Sequence, residues 1–415
     1  MFLSEEEVQK IDPWSIPLDE INVSEPNLYK TNLHWDFFTR LRKEDPVHYC
    51  PDSVFGPFWS VTKFNDIMAV DKNHRDFSSI GGVSIGDRPD DFQTPNFISM
   101  DPPKHDQQRM AVTGVVAPTN LAKLEPVIRE RAAKILDELP IGEEFNWVDR
   151  VSIELTTQML ATIFDFPFEE RRRLTAWSDL ATSTVATGGS MPEESRREGL
   201  MECLQVFTDL WNERVNWDPS DHYDLITMMA HSPATKNMNP MEYLGNLILL
   251  IVGGNDTTRN SISGGVYALN QFPEEYQKLR NDHGLIPKMV PEIIRWQTPL
   301  AHMRRRCIND CIVGGKTIKA GDKVVMWYVS GNRDDEVIEK PNDFVIDRKQ
   351  PRHHLSFGFG IHRCMGNRLA EMQLRTIWEE IVKRFDRIEL VGEPERVSSN
   401  FVKGYADLPI VLHAA

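Results

Sequence analysis

Cysteine is scarce in this sequence. The 415 residues include only five cysteines, Cys50, Cys203, Cys307, Cys311 and Cys364. A small and odd number of cysteines is typical of a protein that stays in a reducing compartment without disulfides. Cys307 and Cys311 have a spacing that a zinc site could use, but no second Cys/His pair lies nearby at finger spacing. The cysteines therefore argue against a disulfide-stabilised secreted fold and disfavour a structural zinc site.

Long apolar runs are missing as well. No run approaches the roughly 20 residues that a membrane-spanning helix needs. The first eight residues, Met1 to Val8, carry glutamates where a signal peptide needs lysine or arginine. We therefore expect a cytoplasmic protein without a membrane span. The 47 basic and 62 acidic residues give a net charge of −15, which argues against nucleic acid as a general partner.

The chain also lacks a Pro/Gly/Ser-rich linker, internal repeats and low-complexity tracts. Without a linker or an abrupt shift in charge, we expect one domain over residues 1–415. With 40% hydrophobic and 26% charged residues, the composition is that of an ordinary soluble globular protein. Such a chain can bury a core around a cofactor.

Helical spacing dominates the patterns that are present, and strand signals are few. Residues 119–230 predict the long amphipathic helices Leu121 to Leu139, Val151 to Ile163, Glu169 to Ala186 and Pro192 to Val215. Gly188 and Gly189 separate the last two. Val47 to Cys50 and Phe58 to Thr62 predict a small hairpin, and another strand starts at Met303. The sequence thus favours a mainly α fold with a minor β region.

One long loop is predicted between the hairpin and the first of these helices. The segment Phe77 to Phe97 is rich in Gly, Ser, Pro and Asp. A loop of that length inside a compact domain is usually functional or mobile.

Cys364 lies between a glycine-rich turn and a helix. Gly358 and Gly360 allow backbone angles that a Cβ would forbid, and the residues from Gly366 to Ile381 have amphipathic helical spacing. The helix dipole and free N–H groups near a helix N-terminus favour a thiolate, which binds soft or borderline metals. The alternative is that Cys364 is a small buried hydrophobe.

Asn239 to Asn270 predicts one helix, about 45 Å long at 1.5 Å per residue. Its middle, Gly253 to Thr258, contains two glycines and short polar side chains that are costly in a helix without compensation. Missing Cβ atoms there allow a large flat group to approach the backbone. The alternative is a kinked core helix.

Paired charges recur at helical spacing. His105 and Arg109 lie four residues apart after a proline-led helix start, so they share one helical face that suits a pair of carboxylates. Such pairs are otherwise solvated surface. Glu292 and Arg295 form an i,i+3 pair, which carries little information by itself.

Together these segments resemble the cytochrome P450 family, the haem-thiolate monooxygenases. Phe357-Gly-Phe-Gly-Ile-His-Arg-Cys-Met-Gly366 is similar to the family's haem-ligand signature, and Gly253-Gly-Asn-Asp-Thr-Thr258 is similar to its distal-helix motif. Three further segments match in order: the helix start from Asp101 to Arg109, Glu292 to Arg295, and Pro341 to Arg348. The resemblance covers Asp101 to Pro409 and implies the cytochrome P450 fold.

The resemblance implies haem b as the cofactor, with the Cys364 sulfur as the iron ligand. It places the haem propionates on His105, Arg109, Arg305 and His362. The arginine that binds a propionate is Arg305 when the segment is aligned from Asp310. It is Arg304 when positions are counted from Arg295. The remaining cofactor-binding residues that it implies are Gly253, Phe357, Gly358 and Gly366.

The resemblance also implies the reaction. A C–H bond, O2, two electrons and two protons give an alcohol and water, with Asp256 and Thr257 as the proton relay. Since no motif for a second cofactor is present, electrons are expected from a ferredoxin and its NAD(P)H-dependent reductase. Their predicted docking surface includes Arg363, Arg368 and Arg375.

Within the family, the chain looks most like the soluble bacterial branch that hydroxylates terminal carbons of medium-chain alkanes and fatty acids. The implied substrate-lining residues are Leu249, Val252, Gly253, Leu300, Ala301, Met303, Phe401 and Val402. Nearly all are apolar, which suits a hydrocarbon. The alternatives are a bacterial steroid or terpenoid hydroxylase, a peroxygenase and a haem-based gas sensor. A gas sensor would need an output domain, and we expect no residues of this sequence to be left over for one.

Overall fold

A computed structural model describes residues 2–184, 189 and 191–414. The described chain is mainly helical, which confirms the predicted fold class. Its helices are α1 (Glu5–Gln9), α2 (Pro26–Lys30), α3 (His34–Glu44), α4 (Phe64–Lys72), α5 (Lys104–Thr113), α6 (Pro118–Asp137), α7 (Glu154–Phe164), α8 (Arg172–Thr182), α9 (Glu193–Arg214), α10 (Leu225–His231), α11 (Pro240–Gln271), α12 (Pro273–Asn281), α13 (Ile286–Gln297), α14 (Tyr328–Gly331) and α15 (Asn367–Arg384). None of these helices is long and apolar enough to cross a bilayer.

The strands of the described residues form four small sheets. They are β1 (Val47–Cys50), β2 (Phe58–Val61), β3 (Phe77–Ser78), β4 (Glu144–Asn146), β5 (Met303–Cys307), β6 (Cys311–Val313), β7 (Lys316–Ile318), β8 (Lys323–Met326), β9 (Phe385–Leu390), β10 (Glu395–Arg396), β11 (Tyr405–Asp407) and β12 (Pro409–Ala414). The largest sheet has the order β1-β2-β8-β5-β3. In it β1 and β2 form the predicted antiparallel hairpin, while β2 and β8 run parallel.

The predicted helix ends are mostly close to the observed ones. The long central helix was expected over Asn239 to Asn270, and α11 begins at Pro240 with the Asn239 side chain accepting from the Glu242 N–H. The helix predicted from Val151 starts as a π-helical turn over Val148–Ile153 before α7. The helix predicted to Ala186 ends at Thr182, and its predicted last residues and Gly188 lie outside the described residues.

Helix α11 runs between two hydrophobic cores. Its N-terminal half contributes Leu244 and Ile251 to a core with α7 to α10, and its C-terminal half contributes Ile262 and Leu269 to a core with α6, α13 and α15. The polar middle of α11 lies between the two cores. The fold therefore fixes that middle at the centre of the molecule.

Candidate functional site

A cavity of about 590 Å³ lies against the middle of α11. Its walls come from α11, α5, the segment before α15, strand β5 and the loop after β3. The sequence-predicted residues that line it are Arg109, Leu249, Val252, Gly253, Thr257, Leu300, Met303, Arg305, Phe357, Gly358, His362, Cys364, Gly366 and Phe401. Predicted residues from five separate parts of the sequence therefore meet at one site.

The turn before Cys364 needs its glycines. Gly358 and Gly360 have φ of +64° and +68°, a region that L side chains rarely adopt. A Cβ on Gly360 would also lie 2.6 Å from the Asp71 carbonyl oxygen on α4. The Cys364 N–H donates to the Phe357 carbonyl at 2.8 Å and closes the turn. This close packing on α4 holds the thiol at the cavity wall.

The Cys364 thiol opens onto the cavity, yet its pKa lies above the usual value. Burial raises that pKa, while the N–H groups of Gly366 and Asn367 and the charges of Arg109 and Arg363 lower it. The helix N-terminus and the two arginines thus favour the thiolate, and the removal of its charge from water opposes it. A metal ion that binds this sulfur must displace the proton.

Two histidines meet beside Cys364. The rings of His105 and His362 lie 4.4 Å apart at 67°. His105 Nδ1 contacts Asp106 at 2.7 Å, and His362 Nε2 contacts Ser79 Oγ at 2.9 Å. Burial lowers the pKa of His362 to about 2, with help from Arg305. Within the described chain, His105 Nε2 and His362 Nδ1 are buried without hydrogen-bond partners. A buried polar atom without a partner destabilises the fold unless a ligand provides the missing hydrogen bond.

The structure distinguishes Arg305 from Arg304. Adjacent strand residues point to opposite faces, so only one of the two can face the cavity. Arg305 lines the cavity and pairs with Asp71 at 2.8 Å. Arg304 instead donates to carbonyls of the loop after β3 and pairs with Asp87. Of the two candidates, Arg305 is the one that lines the cavity.

Gly253 and Gly254 face different surroundings. A Cβ on Gly253 would meet nothing within 4 Å, whereas one on Gly254 would lie 2.7 Å from Leu160 of α7. Gly253 thus lines the open space and Gly254 allows close helix packing. Helix α11 continues through this region, and Thr257 Oγ1 donates to the Gly253 carbonyl at 2.9 Å.

Asp256 lies behind the cavity wall that Thr257 lines. Its carboxylate is fully buried and contacts Arg259 at 3.0 Å and Asn255 at 3.1 Å. Arg259 also contacts Asp179 at 2.8 Å, whose side chain is 50% exposed. Burial raises the pKa of Asp256 and Arg259 opposes that shift. A charged path thus connects Asp256 to the surface.

The predicted ion pair of Glu292 and Arg295 is fully buried, at 2.7 Å, and Arg348 joins it at 3.0 Å. Arg295 also donates to the carbonyls of Asn332 and Pro341.

This network is tied to the turn that carries Cys364. Asn332 accepts from the Leu355 N–H at 2.7 Å, and Ser356 Oγ donates to the Ile294 carbonyl at 2.8 Å. The buried ion pair therefore fixes the cysteine turn against α13.

Two predicted substrate residues lie outside the cavity lining. Ala301 is fully buried in the core around Trp327, and its N–H donates to the Phe401 carbonyl at 2.8 Å. Val402 pairs with Leu300 in an isolated bridge. Backbone pairing turns these two side chains away from the cavity, while Leu300 and Phe401 line it.

Asp71 and the side chains of the loop after β3 also belong to the site, although the sequence did not predict them. The buried Asp71 carboxylate accepts from the Phe359 N–H at 2.7 Å, from Tyr328 at 2.8 Å and from Arg305. No local pattern marks this residue. The loop contributes Arg88, Phe92 and other side chains to the lining, and only its length and composition indicated a role.

Comparison with known proteins agrees with this geometry. A cytochrome P450 family model matches residues 197–403. Linalool 8-monooxygenase of Pseudomonas putida is 35% identical, over 95% of this chain and 99% of its own. Methyl-branched lipid omega-hydroxylase of Mycobacterium tuberculosis is 30% identical, over 90% of each chain.

A solved structure, cytochrome P450-153 from Novosphingobium aromaticivorans, superposes with a TM-score of 0.89 at 45% identity. The superposition covers 97% of this chain and 100% of that one. Since sequence and structure agree over nearly the whole length, this chain belongs to the cytochrome P450 family and is an oxidoreductase of the monooxygenase class.

Proposed function

We propose that this protein is a haem b monooxygenase that hydroxylates the terminal carbon of medium-chain alkanes or fatty acids. One oxygen atom of O2 enters the C–H bond, and two electrons and two protons convert the other to water. The observation that carries the proposal is the cavity, in which a thiol, a helix glycine and an apolar wall face one another. Residues 1–415 act as one catalytic domain.

The residues of the site fit a haem. Cys364 offers a sulfur ligand, the open space at Gly253 admits a flat ring, and Arg109 and Arg305 offer charge-assisted donors to the propionates. His362 can donate its Nδ1–H to the same carboxylates while its Nε2 accepts from Ser79 Oγ, and His105, whose Nδ1 contacts Asp106, can donate from Nε2 when its ring is protonated. When bound, the haem supplies the reductive activation of O2 at its iron.

Proton delivery is assigned to Asp256 and Thr257. The Thr257 hydroxyl lies at the cavity, where it donates its proton to the Gly253 carbonyl. To act as a relay it turns away from that carbonyl, passes its proton into the cavity and accepts a replacement from inside the protein. The raised pKa of Asp256 makes it a better proton donor near neutral pH than an ordinary carboxyl. The path through Arg259 and Asp179 links it to solvent.

The wall around Thr257 supports an apolar chain as substrate. Leu249, Val252, Leu300, Met303 and Phe401 surround the cavity near the α11 glycines. A terminal C–H bond is stronger than its internal neighbours, so attack at the chain end needs walls that restrict the approach. The mycobacterial relative is a methyl-branched lipid omega-hydroxylase, which agrees with this choice.

A terpenoid hydroxylase is the second candidate. It is favoured by one observation, the 35% identity to linalool 8-monooxygenase.

Electrons are proposed to come from a ferredoxin and its NAD(P)H-dependent reductase, because the fold implies separate redox partners. Arg363 and Arg368 are exposed beside Cys364, and Arg375 pairs with Glu125 at 2.7 Å. Two of the three predicted docking arginines are thus free to meet an acidic partner.

The test reconstitutes the protein with a ferredoxin and reductase and offers octane, dodecanoic acid, linalool and a steroid in parallel. We expect terminal alcohols from octane and dodecanoic acid. A Cys364→Ala variant is the control for turnover that does not depend on the site. Oxidation of linalool or the steroid alone, or hydroxylation chiefly at internal carbons, rejects the terminal-hydroxylase assignment.

A further inference from the structure

Four arginines line the cavity, and their partners differ. Arg305 pairs with Asp71, and Arg196 binds both oxygens of Glu193 at 2.6 and 2.8 Å. Arg109 lies next to the cysteine turn and donates to the Arg363 carbonyl. The fourth, Arg88, donates to the Thr94 carbonyl.

Arg88 has no carboxylate partner in the part of the chain that the structure describes. Residues 185–188 and 190 contain no Asp or Glu that could supply one. Burial lowers the pKa of Arg88 to about 10, so the guanidinium remains a cation at neutral pH. The Arg88 side chain is partly buried, and a partly buried cation without an anionic partner has an energetic cost that a carboxylate in a bidentate geometry offsets.

The position of Arg88 along α11 follows from its hydrogen bond. The Thr94 carbonyl that it contacts would lie 2.6 Å from a Cβ on Gly245, in the second turn of α11. Gly245 precedes Gly253 by eight residues and Thr257 by twelve, which is about 12 and 18 Å along the helix axis. Arg88 and the reacting end of the cavity are therefore separated by the length of an extended medium-length chain.

The loop that carries Arg88 is held in place. Arg304 donates to the carbonyls of Gly81 and Gly82, and Asp87 pairs with Arg304 and with Lys323. After Arg88, the Gln93 amide donates to the Pro89 carbonyl at 2.8 Å. A fixed backbone on both sides reduces the entropy that ordering Arg88 around a ligand would cost.

We propose that Arg88 binds the carboxylate of a fatty-acid substrate, whose chain then runs along α11 and presents its far end beside Thr257 and Cys364. The inference rests on the proposed terminal hydroxylation and, within it, selects acids over alkanes. The apolar residues Phe92, Phe97 and Ile248 line the same cavity and suit the methylene chain.

The test measures dissociation constants of the haem-loaded protein for dodecanoate, methyl dodecanoate and dodecane at pH 8, from ligand-induced changes in the haem spectrum. Replacing Arg88→Met should weaken dodecanoate binding by roughly tenfold to a hundredfold, because a charge-assisted hydrogen bond is lost. Binding of the two neutral ligands should stay unchanged. Arg88→Lys should retain part of the dodecanoate affinity, since lysine keeps the charge but not the bidentate geometry.

The matched control is Arg280→Met. Arg280 pairs with Asp386 at 2.5 Å, and neither residue lines the cavity. This variant should leave all three constants unchanged. The inference is overturned if Arg88→Met leaves dodecanoate binding unchanged or weakens the binding of all three ligands equally. This holds even where terminal hydroxylation is observed. If the wild type binds none of the ligands or attacks internal carbons, the proposed function fails and the inference fails with it.

Discussion

At the scale of single residues, Thr257 is the member of the proposed proton relay that reaches the cavity. Thr257→Ala should keep substrate binding but divert electrons into hydrogen peroxide, because the hydroxyl that delivers the proton is gone. The measurement is the ratio of alcohol formed to NAD(P)H consumed, with peroxide quantified alongside. Thr257→Ser retains a hydroxyl and should keep most of the coupling. Full coupling in Thr257→Ala would show that the hydroxyl has only a structural role.

Phe401 and Val402 allow a matched test of the cavity wall. Phe401 lines the cavity and its ring meets that of His302 at 5.2 Å, whereas Val402 lies behind the wall. Phe401→Ala should widen the approach and shift hydroxylation of octane from the terminal carbon toward internal carbons. Val402→Ala should lower stability by about 1 to 3 kcal/mol through the cavity it leaves, without changing the product ratio. Gas chromatography of the octanol isomers distinguishes the two outcomes. Equal product ratios in both variants would contradict the assigned wall.

The residue roles show what a local pattern can and cannot predict. The signature around Cys364 indicated the cavity position of the thiol, because a turn of glycines followed by a helix leaves little freedom for its placement. The opposing effect of burial on the pKa of Cys364 could not be predicted in this way, since burial depends on parts of the chain far away in sequence. The choice between Arg304 and Arg305 needed the pairing register of β5, which motif counting does not give.

At the scale of elements, α11 offers two glycines with opposite surroundings. Gly253→Ala should raise the free energy of unfolding by up to about 1 kcal/mol, because alanine is the better helix former and a Cβ there meets no atom within 4 Å. Gly245→Ala should lower it by roughly 1 to 3 kcal/mol, because its Cβ would lie 2.2 Å from the Pro95 carbonyl oxygen. Thermal unfolding of the two variants beside the wild type makes the comparison. Destabilisation by Gly253→Ala in the protein without haem would contradict the open space at that position.

Elements with strong periodicity were predicted well. The apolar spacing of α11 and α15 and the alternation in β1 and β2 are local properties, so their residue ranges followed from the sequence. The loop after β3 has no such period. Its conformation depends on Arg304, which lies more than 200 residues later in the chain, so neither its path nor the place of Arg88 could be predicted.

At the scale of the whole molecule, the buried pair of Glu292 and Arg295 joins α13, the segment from Asn332 to Arg348 and the cysteine turn. Glu292→Gln should lower the free energy of unfolding by about 3 to 5 kcal/mol, because two arginines lose their buried counter-ion. Glu371→Gln, which removes the partner of the exposed Arg352, should cost less than about 1 kcal/mol. Chemical denaturation gives both values. An equal loss of unfolding free energy in the two variants would show that the buried network stabilises the fold no more than an exposed ion pair does.

The same carboxylate sets a pH dependence. Burial alone would raise the pKa of Glu292, but Arg295 and Arg348 lower it below its usual value of 4.5. The unfolded chain therefore binds this proton more readily than the folded one, so the stabilisation is complete above pH 4.5 and is lost as the pH falls below that value. The difference in stability between wild type and Glu292→Gln should accordingly be constant near neutral pH and shrink under acid. A difference that grows below pH 4.5 would contradict this sign.

The proposed function and the binding of a fatty acid by Arg88 both depend on the Cys364 sulfur as the ligand of the haem iron. The most direct measurement is the absorption spectrum of the reduced protein with carbon monoxide, recorded for the wild type, Cys364→Ser and Cys311→Ser. The account predicts the Soret position typical of a thiolate ligand in the wild type and in Cys311→Ser, and its loss in Cys364→Ser. A spectrum typical of histidine-ligated haem in freshly purified, active wild type, or a thiolate spectrum that persists in Cys364→Ser, would contradict it.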